Sequence, residues 1–310
     1  MDTRLIMVRS LRMVVMVFFA VGCMLAGACS WAVDQGGHRP YRTHAEVIEE
    51  DIAASDERYS AEEFESMGDG GFKRGNLEHA FLNYEKALRL KPKNQNLRCK
   101  RAWVLLAGNF NDEAAKEFET VLSKNENSAA AREGLGQAYF QMKRYDQALA
   151  EFEKALIIDA TRWRSRNYVG IMYNHKNNPL RAIQEFTSAI AIKPDSGILY
   201  NNLGMAYNLA GRYSEALDAY QKAYELGAPR EKTLNNLGIV LAKMGRIVKA
   251  EDVFMEVGDE AQAYNNLGCV YLSAGDYEMA RKSFETALRI SPEPYSRASE
   301  NLKKCRRMMN

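Results

Sequence analysis

Apolar positions along this chain follow two rulers at once. The short ruler has a step of three or four residues, the period of a helix with one buried face. Ala80, Tyr84, Ala87 and Leu88 stand on it. The long ruler has a step of 34: Ala80, Ala114, Ala148, Ala182, Ala216 and Ala250 keep it, and Ala280 follows after 30. Four residues beyond each alanine is an aromatic: Tyr84, Phe118, Phe152, Phe186, Tyr220, Phe254 and Phe284. Counted from Ala61, the units run 61–94, 95–128, 129–162, 163–196, 197–230, 231–260 and 261–294. Each predicts two helices. In the first, the fourth, seventh, eighth and eleventh residues share one face; in the second, the alanine and aromatic do. No unit can bury such faces alone, so neighbours stack into a continuous core.

The eighth residue of each unit is small: Gly68, Ala102, Gly136, Gly170, Gly204, Gly238 and Gly268. Glycine inside a helix costs about 1 kcal/mol against alanine, so its recurrence needs a packing reason. Close approach of the two helices of a unit is the expected one, with Phe152 and its equivalents reaching towards the next unit. Glycines at 73–76, 210–212 and 274–276 suit helix ends. Ser60 with Glu63, and Asp259 with Gln262, read as capping boxes. Two units depart from the pattern. Arg98 and Arg101 occupy places expected to be apolar, and unit 231–260 is short, which predicts a clipped second helix or turn. Residues 295–310 follow as a capping helix with the apolar stripe Tyr295, Ala298, Leu302 and Cys305. Its cations Lys303, Lys304, Arg306 and Arg307 read as a solvated face.

The order Leu-Gly, Tyr, Ala-x₃-Phe and closing Pro (Leu203-Gly204, Tyr207, Ala182 with Phe186, Pro194) resembles the tetratricopeptide repeat, or TPR. The resemblance covers residues 61–294. It implies an all-α solenoid, a right-handed superhelix of helix-turn-helix units, whose concave surface binds other proteins.

Ahead of the repeats the pattern changes. Arg4, Arg9 and Arg12 precede the apolar run from Met13 to Leu25, shorter than the ~20 residues that span a membrane. Residues 1–28 read as a secretory signal peptide. Ala26-Gly27-Ala28 before Cys29 resembles the lipobox of bacterial lipoproteins, which implies an acyl-bearing Cys29. Ala26 stands where that family prefers a bulky aliphatic residue. With Ser30 after the cysteine, lipoprotein sorting implies the outer membrane, periplasm-facing. Cleavage without lipidation, giving a soluble product, is the other reading. Residues 29–60 are polar and acidic (Glu46, Glu49, Glu50, Asp51) and read as a tether.

Composition narrows the function further. The chain has 42 basic and 40 acidic residues, so no general attraction to nucleic acid is expected. Cys99, Cys269 and Cys305 lack metal-ligand spacing and read as buried thiols; no metal or cofactor is expected. The four histidines fall in no H-E-x-x-H pattern, and no nucleophile elbow or phosphate loop is present. Gly68-Asp69-Gly70-Gly71 lies inside a helix, not after a strand. No catalytic residue is assigned, and an enzyme is not expected.

The candidate binding surface is opposite the buried face of each first helix, at its second, sixth, ninth and thirteenth places. Asn202, Asn236 and Asn266 hold the sixth place, preceded by Asn201, Asn235 and Asn265. Asparagine is a poor helix former, so its pairing across three units asks for a purpose. A carboxamide both donates and accepts, and a row of them can hold an extended peptide backbone. The row resembles the asparagine ladder of the O-GlcNAc transferase repeats. Ile171, Met205, Ile239 and Cys269 would add apolar contact, and Arg164, Lys232 and Lys243 would favour an acidic segment. Hydrogen bonding within or between helices is the competing use.

Within TPR lipoproteins the leader, Cys29, the Asn-Leu-Gly units, the short 231–260 unit and the Ser291–Leu302 stretch are similar to tight-adherence (Flp) pilus assembly lipoproteins. That resemblance implies a scaffold assisting a pilus or secretion complex. A periplasmic or membrane-tethered chaperone or adaptor for another envelope complex is the alternative.

Overall fold

The computed structural model describes residues 59–309, so the leader, Cys29 and nearly all of the tether lie outside the described residues. Fifteen α-helices, and no strand, occur among the described residues. First helices alternate with second helices: α1 (Ala61–Lys73), α2 (Leu77–Leu90), α3 (Gln95–Ala107), α4 (Asn111–Lys124), α5 (Ala129–Gln141), α6 (Tyr145–Ile158), α7 (Trp163–His175) and α8 (Pro179–Ile192). Then come α9 (Gly197–Leu209), α10 (Tyr213–Glu225), α11 (Arg230–Lys243), α12 (Ile247–Met255), α13 (Glu260–Ala274), α14 (Tyr277–Ile290) and α15 (Ser296–Met309). The chain divides into two compact bodies, the first ending at Glu151 and the second beginning at Phe152, inside α6. Contacts in a repeat stack run only between neighbours, so nothing long-range ties its ends together.

The recurring alanines are fully buried, and the aromatics four residues on are buried with them. Those rings explain the glycines. A Cβ at Gly68, Gly170, Gly204, Gly238 or Gly268 would stand 2.5–2.8 Å from the ring of Tyr84, Phe186, Tyr220, Phe254 or Phe284. The small residue is therefore mainly a seat for the ring of its own unit. Direct approach of two backbones, the reason expected from sequence, is met at Gly71, where a Cβ would lie 3.0 Å from the Ala80 nitrogen.

Unit 95–128 uses a different seat. Its eighth residue is Ala102, and the Phe118 ring lies instead on Gly134 of the next unit, 2.2 Å from where a Cβ would be. Trp103 packs edge-on to the same ring at 5.4 Å. One methyl gained at 102 is thus matched by one lost at 134.

Arg98 and Arg101 are not intruders in an apolar stripe. Arg98 pairs with Glu117 at 3.2 Å, and Arg101 with Glu117 at 2.6 Å and also with Glu85. The first pair recurs at the same repeat positions as Arg132–Glu151 at 2.8 Å and Arg166–Glu185 at 3.0 Å. At the fourth place, arginine is a regular alternative to an apolar residue in three consecutive units.

Turns between the two helices of a unit carry one left-handed residue each: Gly75, Asn109, Lys143, Asn177, Gly211, Gly245 and Gly275. Lys143 stands out, because at φ 62° its Cβ crowds the backbone. Ser60 and Glu63 form both bonds of a capping box. At Asp259 the forward bond, from the Gln262 amide at 2.8 Å, is formed. The short unit is short in its second helix: α12 has 9 residues where α10 has 13 and α14 has 14. A recess of about 410 Å³ lined by Leu217, Leu234, Leu237, Leu241 and Val253 lies beside it.

α15 buries Ala298, Leu302 and Cys305, the last two against Ala280 and Phe284. No helix among the described residues is long and apolar enough to cross a membrane.

Candidate functional site

In the second body the first helices α7, α9, α11 and α13 follow one another at the repeat spacing, and α15 extends the series. The asparagines sit where these helices meet. Asn202 Nδ2 donates to Asn167 Oδ1 at 2.8 Å. Asn236 donates to Asn201 at 3.2 Å, Asn266 to Asn235 at 3.2 Å, and Asn301 to Asn265 at 3.0 Å. Each rung runs from the sixth place of one helix, or its counterpart in α15, to the fifth place of the helix before. Bonding between helices, the competing use of these asparagines, is therefore present in all four rungs. The signal was available: a carboxamide carries both a donor and an acceptor on a short side chain, so two of them at repeat spacing can pair.

These bonds explain why asparagine is tolerated at such depth. Asn201, Asn202 and Asn265 are 4%, 5% and 2% exposed, and an unmet carboxamide there would cost about 1–3 kcal/mol. Asn235, Asn236 and Asn266 are half-buried. A carboxamide has two N–H bonds and two lone pairs, and one rung engages one group at each end. The Asn236 and Asn266 oxygens therefore keep acceptor capacity towards the exposed face. Asn208 Oδ1 accepts from Lys243 Nζ at 2.9 Å. Asn174 is buried, and its carboxamide has no partner among the described residues.

Apolar side chains flank the rungs. Ile171, Met205 and Ile239 are half-buried at the ninth place. Ile198 and Leu209, at the second and thirteenth places of α9, are 56% and 48% exposed. Cys269 holds the ninth place of α13 and is exposed, not a buried thiol as expected, whereas Cys99 and Cys305 are buried. The first-helix face is turned outward at that place. A recess of about 240 Å³ lies there, lined by Asn235, Ile239, Lys243, Asn266, Cys269, Val270 and Ser273.

The electrostatics of this face are set by unopposed cations. Lys243 is exposed along its stem, but its ammonium lies between Asn208 and the Tyr213 ring, 5.8 Å from the centroid. Partial burial holds its pKa below the ordinary lysine value. Burial pushes the Cys269 thiol up, against the charges of Lys304 and Arg297. Arg164 lies over the Trp163 ring at 4.5 Å. Among the described residues Arg164, Lys232, Lys243, Arg297 and Lys304 make no ion pair.

The first body treats the same places differently. Lys100, at the sixth place of α3, bridges Glu65 at 2.7 Å and Asp69 at 2.8 Å. The Tyr84 hydroxyl also donates to Asp69, at 2.6 Å. Burial pushes the Asp69 carboxyl up, but the bonds from Lys100 and Tyr84 and the Lys100 charge outweigh it, and the net shift is downward. Between α4 and α5, Tyr139 donates to Glu119 at 2.9 Å, and burial together with that carboxylate pushes its pKa up to about 12.

Alternating first and second helices, rings seated on glycines in five units, and an amide-lined face in the second body make up the geometry. The comparisons agree with them. The tetratricopeptide repeat pattern matches residues 99–162, 163–231 and 261–294, more than half of the chain. Comparison with curated proteins finds no match. Among solved structures, a tetratricopeptide repeat protein of Parabacteroides merdae is 19% identical, the match covering 81% of this chain and 99% of that one at a TM-score of 0.53. PilF of Pseudomonas aeruginosa is 20% identical over 70% of this chain and 95% of its own, at 0.55. Identities this low show a shared fold and no more. Proteins built of this repeat generally act as scaffolds that hold other proteins or peptides in a groove, rather than as enzymes. With the repeat pattern matched over most of its helical part and the same fold in solved relatives, the chain belongs to the tetratricopeptide repeat family.

Proposed function

We propose that this chain is a non-enzymatic scaffold of a bacterial cell envelope, and that it holds an extended segment of a partner protein along the first-helix face of its second body. The observation that carries the reading is the amide series from Asn167 to Asn301. It lines one face at repeat spacing, engages one arm of each carboxamide, and is flanked by Ile171, Met205 and Ile239. Backbone amides and carbonyls of an extended chain can use the remaining arms, so such a face grips main chain and reads few side chains. Asn201, Asn202 and Asn265 are buried and hold the helices in register; Asn235, Asn236 and Asn266 are half-buried, and Asn235 and Asn266 line the recess.

The envelope setting rests on residues 1–29. The basic start, the apolar run and Ala26-Gly27-Ala28-Cys29 support export and lipidation of Cys29, with the repeats facing the periplasm, at the outer membrane. Assistance to assembly of a pilus or secretion complex is the finer reading, supported by the resemblance to tight-adherence lipoproteins.

Photo-crosslinking in cells tests the scaffold. A benzoylphenylalanine at Ile239 or Met205 should link to a distinct protein partner, and one at Trp103 should not. Equal or absent crosslinks from the three places would remove the proposed face. Radiolabelled fatty acid, incorporated by the native chain and not by Cys29→Ala, tests the anchor independently.

A further inference from the structure

α15 was expected to be a cap. Its geometry makes it more than that. Arg297, Asn301, Lys304 and Met308 stand 35 residues after Gln262, Asn266, Cys269 and Ser273, the second, sixth, ninth and thirteenth places of α13. Asn301 forms the last amide rung with Asn265 and also reaches Cys269 Sγ at 3.4 Å. The helix therefore continues the binding face in the manner of a further first helix.

We propose that α15 completes the site, and that α11, α13 and α15 together hold the side-chain carboxylates of an acidic extended segment of a partner protein. This rests on the scaffold reading above and names the class of its ligand. The recess between α11 and α13 has Lys243 in its wall and opens beside Cys269, over which the charges of Lys304 and Arg297 act. Lys232 adds a cation at the second place of α11. The second, sixth, ninth and thirteenth places of α7, α9, α11 and α13, and their counterparts in α15, hold no Asp or Glu. One carboxylate borders this region: Glu231 shares an adjoining recess of about 70 Å³ with Asn266, Tyr295 and Arg297.

The Lys243 ammonium has an amide oxygen and a ring beside it but no carboxylate, and an incoming carboxylate would add a charge-assisted bond, the stronger kind. The first body shows what a self-neutralised version looks like: Lys100 there already has Glu65 and Asp69. Complementary charge of this type sets which partner is chosen and how fast it arrives.

The test is fluorescence anisotropy on the full chain with labelled peptides. The probes have about ten residues, enough at ~3.3 Å per residue to cross three helices ~10 Å apart. One alternates Glu with Val; the other has Gln for every Glu; both are amidated at the C-terminus. The acidic peptide should bind at least about tenfold more tightly at low salt, and the preference should shrink as salt screens it. Lys243→Gln with Lys304→Gln should abolish the preference, the two Lys→Arg replacements should keep it, and Lys100→Gln should leave it unchanged. Helicity and melting of each variant check the fold. Equal binding of the two peptides overturns this inference and leaves the scaffold reading standing. Binding of neither removes both. A preference that appears only with a free C-terminal carboxylate also overturns it, since the ligand would then be a chain end.

Discussion

The two bodies share one repeat frame and join their first helices in opposite ways. In the first, Lys100 of α3 meets Glu65 and Asp69 of α1. In the second, amide meets amide from Asn167 through to Asn301. Ion pairs consume their own charges and leave a neutralised face. Amide rungs are neutral to begin with, so the cations beside them stay unopposed. The same frame thus yields one face that is electrostatically finished and one that is open to a ligand.

The largest expected effect breaks the comparison at the ring seats. Gly134→Ala puts a methyl into the Phe118 ring and should destabilise the chain by about 1–3 kcal/mol in chemical denaturation, the usual penalty of overpacking. Ala102→Gly opens the seat that Gly68, Gly170, Gly204, Gly238 and Gly268 provide in their own units. Combined with Gly134→Ala it should recover most of the loss, and a strictly additive double variant would show that the two seats are not alternatives.

Next come the two tyrosines in equivalent seats. Tyr84 has Asp69 for its hydroxyl, whereas the Tyr220 hydroxyl is buried with no partner among the described residues. Burial alone pushes the Tyr220 pKa up. Tyr220→Phe should therefore stabilise by about 1 kcal/mol or more, and Tyr84→Phe should destabilise by about 0.5–1.5 kcal/mol. Melting curves of both variants that moved in the same direction would contradict this pairing.

A smaller gain is expected in the first body's last turn. Lys143 holds a left-handed conformation that glycine adopts without strain. Lys143→Gly should stabilise by up to about 1 kcal/mol. Gly211→Ala, at the same repeat position in the second body, should do the reverse.

The smallest effect separates the bodies by pH. Asp69 has its folded-state pKa below the ordinary 3.8, so its contribution is present above that value and fades as pH falls through the depressed one. For Lys100 burial lowers the pKa, but the bonds and charges of Asp69 and Glu65 outweigh it, and the net shift is upward. Its contribution is full below the ordinary 10.5 and is lost as pH rises beyond it. Lys100→Met should flatten the acid limb of the first body's stability, followed by hydrogen exchange in α1 and α3. The amide rungs do not titrate, so exchange in α9 and α11 should lack that limb.

Much of this was legible in the chain. Gly, Ala and the aromatic sixteen residues after the glycine report the fold because each touches the others within one unit, at fixed spacing. The asparagines were legible as a series for the same reason. Which asparagine bonds which was not, since a rung joins residues 31 to 36 apart on different helices and single-unit periodicity does not display it. Arg98 looked like an exception because its Glu117 lies on the next helix, 19 residues on. Lys304 looked solvated because α15 was compared with nothing; set against α13, it falls on the binding face.

The most direct test of an amide face that is half engaged and half free is NMR of the full chain with ¹⁵N-labelled asparagine, titrated with the acidic extended peptide. The account predicts that the side-chain NH₂ signals of Asn202, Asn236, Asn266 and Asn301 shift together, and that those of the capping residues Asn76 and Asn94 stay put. Shifts confined to the first body, or spread evenly over all asparagines, would contradict it.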